Sequence, residues 1–93
     1  LVTHRWLPEA QTILYGSEAR GDAQPESDID LLILLPDDYV TPEREHAIAS
    51  KLFEIELQSG VIISSVVMSR RQWENPPVVT PFYQNVKQEG ILL

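Results

Sequence analysis

Apolar positions along the chain form short runs that predict strands alternating with helices. Ala10–Tyr15 and Val61–Met68 are rich in β-branched and aromatic residues, which favour strands. Between them, Asp28–Leu35 is the strongest strand prediction, because its apolar residues continue without interruption after Asp30. A strand that is apolar on both faces is expected at the centre of a sheet, with other elements covering both sides.

The longest predicted helix begins at Thr41, which supplies a hydroxyl cap ahead of a proline at the first helical position. We expect this helix to run to about Gln58 and to end before Gly60. We expect Ile48, Leu52 and Ile55 of this helix to face the core, with Ala49 as a further candidate.

Two shorter helices are predicted after the third strand. Ser69 and Gln72 have the spacing of a capping box. Thr80, followed by proline, starts a last helix that ends at Gly90, before a final apolar tail. The segment before the first strand is ambiguous and is compatible with the remnant of a helix. The order of elements predicts an α/β (α+β) fold of two layers, in which helices pack on one small mixed β-sheet.

Composition limits the class of protein. A chain of 93 residues, 43% hydrophobic and 23% charged, suits one globular domain that spans residues 1–93. No apolar run is long enough to cross a bilayer and no secretory signal begins the chain, so the expected location is the cytoplasm. The absence of cysteine excludes disulfides and thiolate metal sites. The net charge of −7 argues against an extensive nucleic-acid surface but permits a phosphate ligand bound together with a cation.

Asp28 and Asp30 are the first of two features that carry chemistry. One residue separates them in a predicted strand, so both carboxylates are expected on one face, with Cα atoms roughly 6–7 Å apart. Two anions so close on an apolar strand would repel each other if they were buried without a counterion. A shared hard cation such as Mg²⁺, which prefers carboxylate and phosphate oxygens, removes that repulsion. Taken alone, the pair is equally compatible with a solvated strand edge.

Gly16 and Ser17, at the exit of the first predicted strand, are the second feature. Glycine lets the main chain approach a phosphate closely. The serine offers a hydroxyl and an N–H group, and a following helical turn would direct further N–H groups at the same anion. Arg20 is a candidate to add a positive charge to this phosphate-binding corner, the alternative being an arginine with no role beyond the surface.

Residues 15–35 read YGSEARGDAQPESDIDLLILL and contain the pattern G-S-x10-D-x-D. This segment resembles the signature of the DNA polymerase β-like nucleotidyltransferase superfamily, and in particular its small stand-alone members, the minimal nucleotidyltransferases of prokaryotes. The fuller strings G-S-x-A-R-G-D and S-D-I-D-L extend the resemblance. The order of strands and helices and the terminal PFYQNVKQEGILL are also similar to that family.

The resemblance implies roles for the matching residues. Gly16 and Ser17 would hold the β- and γ-phosphates of a nucleoside triphosphate, with ATP the expected nucleotide. Asp28 and Asp30 would be the catalytic carboxylates that ligate Mg²⁺ or Mn²⁺. The implied reaction transfers a nucleoside monophosphate in line to a protein or RNA hydroxyl, and pyrophosphate leaves. Catalysis would rest on positioning and on two metal ions roughly 3.5–4 Å apart.

The family has a third carboxylate on the next strand, and this chain has no acid there. The strand reads VIISSVVM, so Ser64 or Ser65 occupies the expected place, and a serine hydroxyl is a poor magnesium ligand and a poor base. The nearest acids, Glu54 and Glu56, are predicted on the preceding helix. The chain is therefore interpreted as a transferase that is slow or completed by another chain, or alternatively as a nucleotide-binding relative without turnover.

A second hypothesis, implied by resemblance alone, is an interaction module. Minimal nucleotidyltransferases of this kind are commonly paired with HEPN-domain proteins in toxin–antitoxin pairs, so the expected partner is a HEPN-type protein that the chain neutralises by binding. Self-association through the apolar C-terminal Ile91–Leu93 is a further expectation. Partner-independent transfer of nucleotide would favour the enzyme over the module.

The remaining polar and aromatic residues have plainer interpretations. Asp22 and Glu26 are predicted to be exposed loop acids, Ser27 a turn or cap residue, and His46 an exposed helix residue. Four aromatic residues are interpreted as core or interface residues, with stacking on a nucleobase as the alternative: Trp6, Trp73, Phe82 and Tyr83.

Overall fold

A computed structural model describes residues 3–21 and 28–93, without the side chains of residues 4, 17 and 18. A 3₁₀ turn, Thr3–Arg5, precedes the sheet. The strands are β1 Gln11–Tyr15, β2 Ile29–Leu35, β3 Ile63–Ser69 and β4 Ile91–Leu92. The helices are α1 Ser17–Arg20, α2 Pro42–Ser59, α3 Arg70–Glu74 and α4 Pro81–Glu89.

The four strands form one mixed sheet in the order β3-β2-β1-β4. β2 pairs antiparallel with β1 and parallel with β3, and β1 also pairs antiparallel with β4. The long helix α2 connects the two parallel strands, as a parallel crossover requires. β2 therefore lies inside the sheet, between the strand that leads into α1 and the strand that carries the two serines.

From Leu31 to Leu35, the side chains of β2 are buried on both faces of the sheet, as the apolar sequence predicts. Alternate leucine and isoleucine residues from Leu31 to Leu35 pack on one side with Ile48 and Leu52 of α2. Leu32 and its neighbours on the other side pack with side chains of α3 and α4. The predicted α+β fold, a small mixed sheet with helices packed on it, is confirmed. Because the helices are divided between both faces, the layers number three rather than two.

The predicted ends of the helices are confirmed. The Thr41 hydroxyl accepts a hydrogen bond of 3.2 Å from the Arg44 N–H at the start of α2, and Gly60 ends that helix at a φ of 73°. Ser69 caps α3, since its hydroxyl accepts from the Gln72 N–H at 3.0 Å. Thr80 caps α4 in the same way, accepting from the Tyr83 N–H at 3.1 Å.

Two details differ from the sequence-based expectations. Ala49 is exposed, because the helical period places it about 100° away from the stripe centred on Ile48 and Leu52. The apolar tail after Gly90 is a strand, β4, and the Leu93 N–H donates to the Thr12 carbonyl at 2.9 Å.

His46 is exposed as expected. None of the helices in the described part of the chain combines the length and apolar character that a bilayer-spanning segment requires.

Candidate functional site

Asp30 lies near the start of β2, at the centre of the sheet. It is in register with Tyr15 on β1 and with Ser64 on β3. Alternation along the strand places its side chain on the same face as Leu32 and Leu34, which is the face covered by α3 and α4. The residue is half-buried, so its carboxylate is held by the sheet while remaining accessible from solvent.

Asp28 directly precedes the first residue of β2 and is exposed. The next residue, Ile29, is tied to the adjacent strand because its N–H donates to the Ile62 carbonyl at 2.9 Å. The prediction that Asp28 and Asp30 share one face assumed that both belong to the strand. Since only Asp30 does, the common direction of the two carboxylates stays a prediction.

Gly16 makes the turn from β1 into α1 and lies against the Asp30 carboxylate. Its φ of +76° is in the left-handed region, which a residue with a Cβ adopts only at a cost. A Cβ atom built on Gly16 would overlap Asp30 Oδ2. The structure thus brings together one residue from each of the two features singled out in the sequence, the glycine–serine corner and the pair of acids.

The turn after Gly16 is a single helical turn, α1, which begins with the main chain of Ser17. The Arg20 N–H donates to the Gly16 carbonyl at 3.1 Å. The Arg20 guanidinium, at the other end of α1, donates to Glu89 Oε2 at 3.3 Å. A small cavity of about 190 Å³ lies beside this corner, and its walls include both residues of that ion pair. The predicted helical turn is therefore confirmed, and the end of α4 approaches it.

Tyr15 is the closest neighbour of Asp30 across the β1–β2 pair and also lines the cavity at the corner. Burial raises the pKa of Tyr15 above its ordinary value of 10.0, and the negative charge of Asp30 raises it further. The Phe82 ring packs edge-on against Tyr15, with ring centroids 5.3 Å apart. The Tyr15 phenol is thus neutral at physiological pH, and its pKa depends on the charge of Asp30.

We expect Asp30→Asn to lower the pKa of Tyr15 part of the way toward 10.0, because the charge is removed while the burial remains. Because the pKa of Tyr15 is higher in the folded chain than in the unfolded chain, the neutral phenol stabilises the fold. This stabilisation is complete at a pH below the unfolded pKa and is lost as the pH rises through the folded pKa. The measurement is an ultraviolet titration of tyrosinate, with Tyr15→Phe subtracted to isolate this residue. An unchanged Tyr15 titration in Asp30→Asn would contradict the proximity of the two groups.

The structure distinguishes the two serines on β3. Ser64 is in register with Asp30 and Ser65 with Leu31, and paired residues on neighbouring strands share a face. Ser64 is therefore the residue next to Asp30 on its side of the sheet, and both serines are exposed. Of the two serines considered for the place of the third carboxylate, Ser64 is thus the one beside Asp30.

Glu54 and Glu56, which precede β3 in the sequence, have other contacts. Glu56 Oε1 accepts a hydrogen bond of 2.7 Å from the Ile63 N–H, and Glu54 pairs with Lys51 at 3.4 Å. Within residues 3–21 and 28–93, no three His, Cys, Asp or Glu side chains form a group that could hold a metal ion. Among the described residues, Asp28 and Asp30 therefore remain the candidate metal ligands. Asp22, Glu26 and Ser27, which were assigned to the loop, lie outside the described residues.

Comparison with known proteins identifies the family. The sequence model described as "Nucleotidyltransferase domain" matches residues 2–93. The chain belongs to the nucleotidyltransferase domain family. The resemblance noted on Gly16, Ser17, Asp28 and Asp30 is thereby confirmed at the level of the family, and so is the expectation of a transferase-type domain.

Two individual proteins are similar to this nucleotidyltransferase domain. A protein of Methanocaldococcus jannaschii named "Putative protein adenylyltransferase MJ0604" is 40% identical over 83 residues, which are 87% of this chain and 74% of that protein. A structure described as the crystal structure of a toxin-antitoxin with AMP-PNP superposes with a TM-score of 0.65 at 21% identity. The match covers 98% of this chain and 65% of that one, so this chain spans less than two thirds of it, and the likeness shows a shared fold.

Three residues near the nucleotidyltransferase corner were not assigned to it from the sequence: Tyr15, Phe82 and Glu89. The β1–β2 register places Tyr15 beside Asp30. An antiparallel pairing of the first two predicted strands could have indicated this neighbour from the sequence. Phe82 and Glu89 reach the corner only because α4 returns to it, and no local pattern in the sequence signals that return.

Proposed function

We propose that the chain binds ATP together with Mg²⁺ or Mn²⁺ and transfers AMP to a protein hydroxyl. The observation that carries the proposal is the contact of Gly16 with the Asp30 carboxylate, in a chain of the nucleotidyltransferase family. The name of the archaeal relative supports a protein acceptor. The AMP-PNP in the description of the similar structure supports an adenine nucleotide.

The donors at the corner fit a hard divalent cation bound with a triphosphate. Asp28 is exposed and Asp30 half-buried, so both can offer carboxylate oxygens while the remaining coordination positions go to water and phosphate, as Mg²⁺ prefers. Asp28 and Asp30 would hold the ion. Bound there, it would neutralise charge on the phosphates during transfer.

The residues of the chain position the nucleotide in this proposal. Because Gly16 has no side chain, the Asp30 carboxylate can lie directly against the main chain of this turn. The Ser17 main chain and the Arg20 guanidinium would contact the β- and γ-phosphates. The acceptor oxygen then forms a bond to the α-phosphorus as the bond to the β-phosphate oxygen breaks. Pyrophosphate leaves, and the hydroxyl proton passes to a base or to water.

Ser64 limits the rate of this reaction. It stands beside Asp30, where a carboxylate would take the proton of the attacking hydroxyl, and a serine hydroxyl is a weak base at neutral pH. We propose that the chain alone is a slow transferase, and that a partner supplying a carboxylate would accelerate it.

Ser64→Asp is expected to increase transfer about tenfold or more, since a well-positioned general base contributes about 10²–10⁴-fold. Ser65→Asp is the matched control, because Ser65 is in register with Leu31 on the opposite face. The measurement is incorporation of label from α-³²P-ATP into protein of a lysate from the source cells. Equal rates in the wild type and both variants would show that the missing acid is not the limitation.

A second candidate function is that of a binding module in a toxin–antitoxin pair. The specific support is the description of the structure with a TM-score of 0.65, and the expected partner is a HEPN-type toxin. Neutralisation of the co-expressed toxin by wild type and equally by Asp30→Asn would favour binding alone. Neutralisation by the wild type only, with label transferred to the toxin, would favour the transferase.

A further inference from the structure

An apolar groove of about 480 Å³ lies on the same face of the sheet as Asp30. Met68 of β3 and Trp73 of α3 contribute to it, together with Phe82 and Tyr83 of α4. The proline-rich connection between α3 and α4 closes one side, and Gln72 is part of the lining. No lining residue in the described part of the chain carries a formal charge, so the groove suits a neutral, flat and largely apolar group.

Phe82 lies at the boundary between the groove and the phosphate corner. This residue lines both the groove and the small cavity beside Gly16, and its ring packs edge-on against Tyr15, which is paired with Asp30. Phe82 is 37% exposed, whereas Trp73 is 6% exposed, and the two rings meet edge-on with their centroids 6.1 Å apart. Phe82 therefore presents ring surface to a ligand, and Trp73 forms part of the floor.

Gln72 adds hydrogen-bonding groups to this apolar lining. Its main-chain N–H donates to the Ser69 hydroxyl and so completes the cap of α3. Gln72 is exposed on this helix and lines the groove. A glutamine carboxamide has one donor and one acceptor side, which match the polar edge of adenine. The groove thus combines stacking surface with a single amide, as a nucleobase requires.

We propose that this groove binds the adenine base of the nucleotide, with Phe82 as the stacking surface and Gln72 as the hydrogen-bonding residue. The inference rests on the proposed function, since it takes the triphosphate to lie at Gly16 and Asp30. It goes further by naming the residues that recognise the base, and it explains why an apolar groove opens beside a charged corner.

The test separates the base from the phosphates by calorimetry with two ligands, Mg²⁺-ATP and Mg²⁺-tripolyphosphate. Wild-type protein is expected to bind ATP more tightly than tripolyphosphate. Phe82→Ala should weaken ATP binding about tenfold, the lower part of the range for loss of one base–aromatic stack. It should weaken tripolyphosphate binding less than ATP binding, although Phe82 also borders the phosphate corner. Gln72→Ala should reduce the preference for ATP over GTP without affecting tripolyphosphate.

Two further variants test the groove in case Phe82→Ala fails to fold. Each introduces one glutamate at an exposed valine, so the two differ only in position. Val78 and Val79 are adjacent and both exposed, at 70% and 55%, but only Val78 lines the groove. Val78→Glu should weaken ATP binding, and Val79→Glu should not. A spectroscopic readout is available in the Trp6→Phe background, where Trp73 is the remaining one of the 2 tryptophans. Its fluorescence should respond to ATP and not to tripolyphosphate.

The outcomes are distinguishable. Equal affinity of the wild type for ATP and tripolyphosphate, or unchanged ATP binding in Phe82→Ala and Val78→Glu, would overturn the base site and leave the corner intact. Equal weakening of both ligands in Phe82→Ala would show damage to the corner and would also overturn it. Binding of neither ligand by the wild type would overturn the proposed function together with this inference.

Discussion

Asp30→Asn is expected to lower nucleotidyl transfer about a thousandfold or more, which corresponds to a loss of about 4 kcal/mol of transition-state stabilisation. The amide keeps the size of the side chain but cannot offer two anionic oxygens to a divalent cation. Asp30 is the acid that the strand register fixes between Tyr15 and Ser64. Its replacement therefore removes the best-positioned negative charge of the corner.

Asp38→Asn is the matched control for this change. The Asp38 side chain is 87% exposed and makes a long ion pair of 3.7 Å with Arg71. The same substitution there should leave transfer within about twofold of the wild type, since exposed pairs contribute little. Label transfer from α-³²P-ATP gives the rates, and calorimetry with Mg²⁺-ATP shows whether binding is lost as well. Wild-type activity in folded Asp30→Asn would remove the basis of the proposed function.

The sequence predicted the elements that have strong local signals. The threonine and serine caps and the left-handed Gly60 determine where helices begin and end through contacts within a few residues. The unbroken apolar run of β2 identified the buried central strand. The glycine–serine corner and the acids were identified from residue types and spacing, and the structure brings Gly16 and Asp30 into contact.

The features that the sequence did not predict depend on pairings between distant segments. The last apolar residues become β4 only because β1 offers an open edge for Ile91 and Leu92. Ser64 and Ser65 are chemically identical neighbours, and only the register of β3 against β2 places Ser64 beside Asp30. The position of α4 places Glu89 beside Arg20, although most of the chain separates the two residues in sequence. Tertiary contacts of this kind leave no periodic trace in the sequence.

Gly16→Ala is expected to weaken Mg²⁺-ATP binding about a hundredfold, or about 2.7 kcal/mol. The new methyl group would overlap Asp30 Oδ2, so either the carboxylate or the turn must move, and in the proposed function both hold the nucleotide. The φ of +76° adds backbone strain of about 1–2 kcal/mol, which should lower the free energy of unfolding. Calorimetry measures the binding, and denaturant unfolding measures the strain.

Gly60→Ala separates these two effects, because Gly60 has nearly the same φ, +73°, and an added Cβ there meets no atom within 4 Å. It should lose a similar amount of stability and bind Mg²⁺-ATP like the wild type. A selective loss of binding in Gly16→Ala then reports the contact with the Asp30 carboxylate rather than a general weakening of the fold. Equal ATP affinity in both variants would contradict a phosphate site at this corner, because a shift of the Asp30 carboxylate or of the turn would then have no effect on the nucleotide.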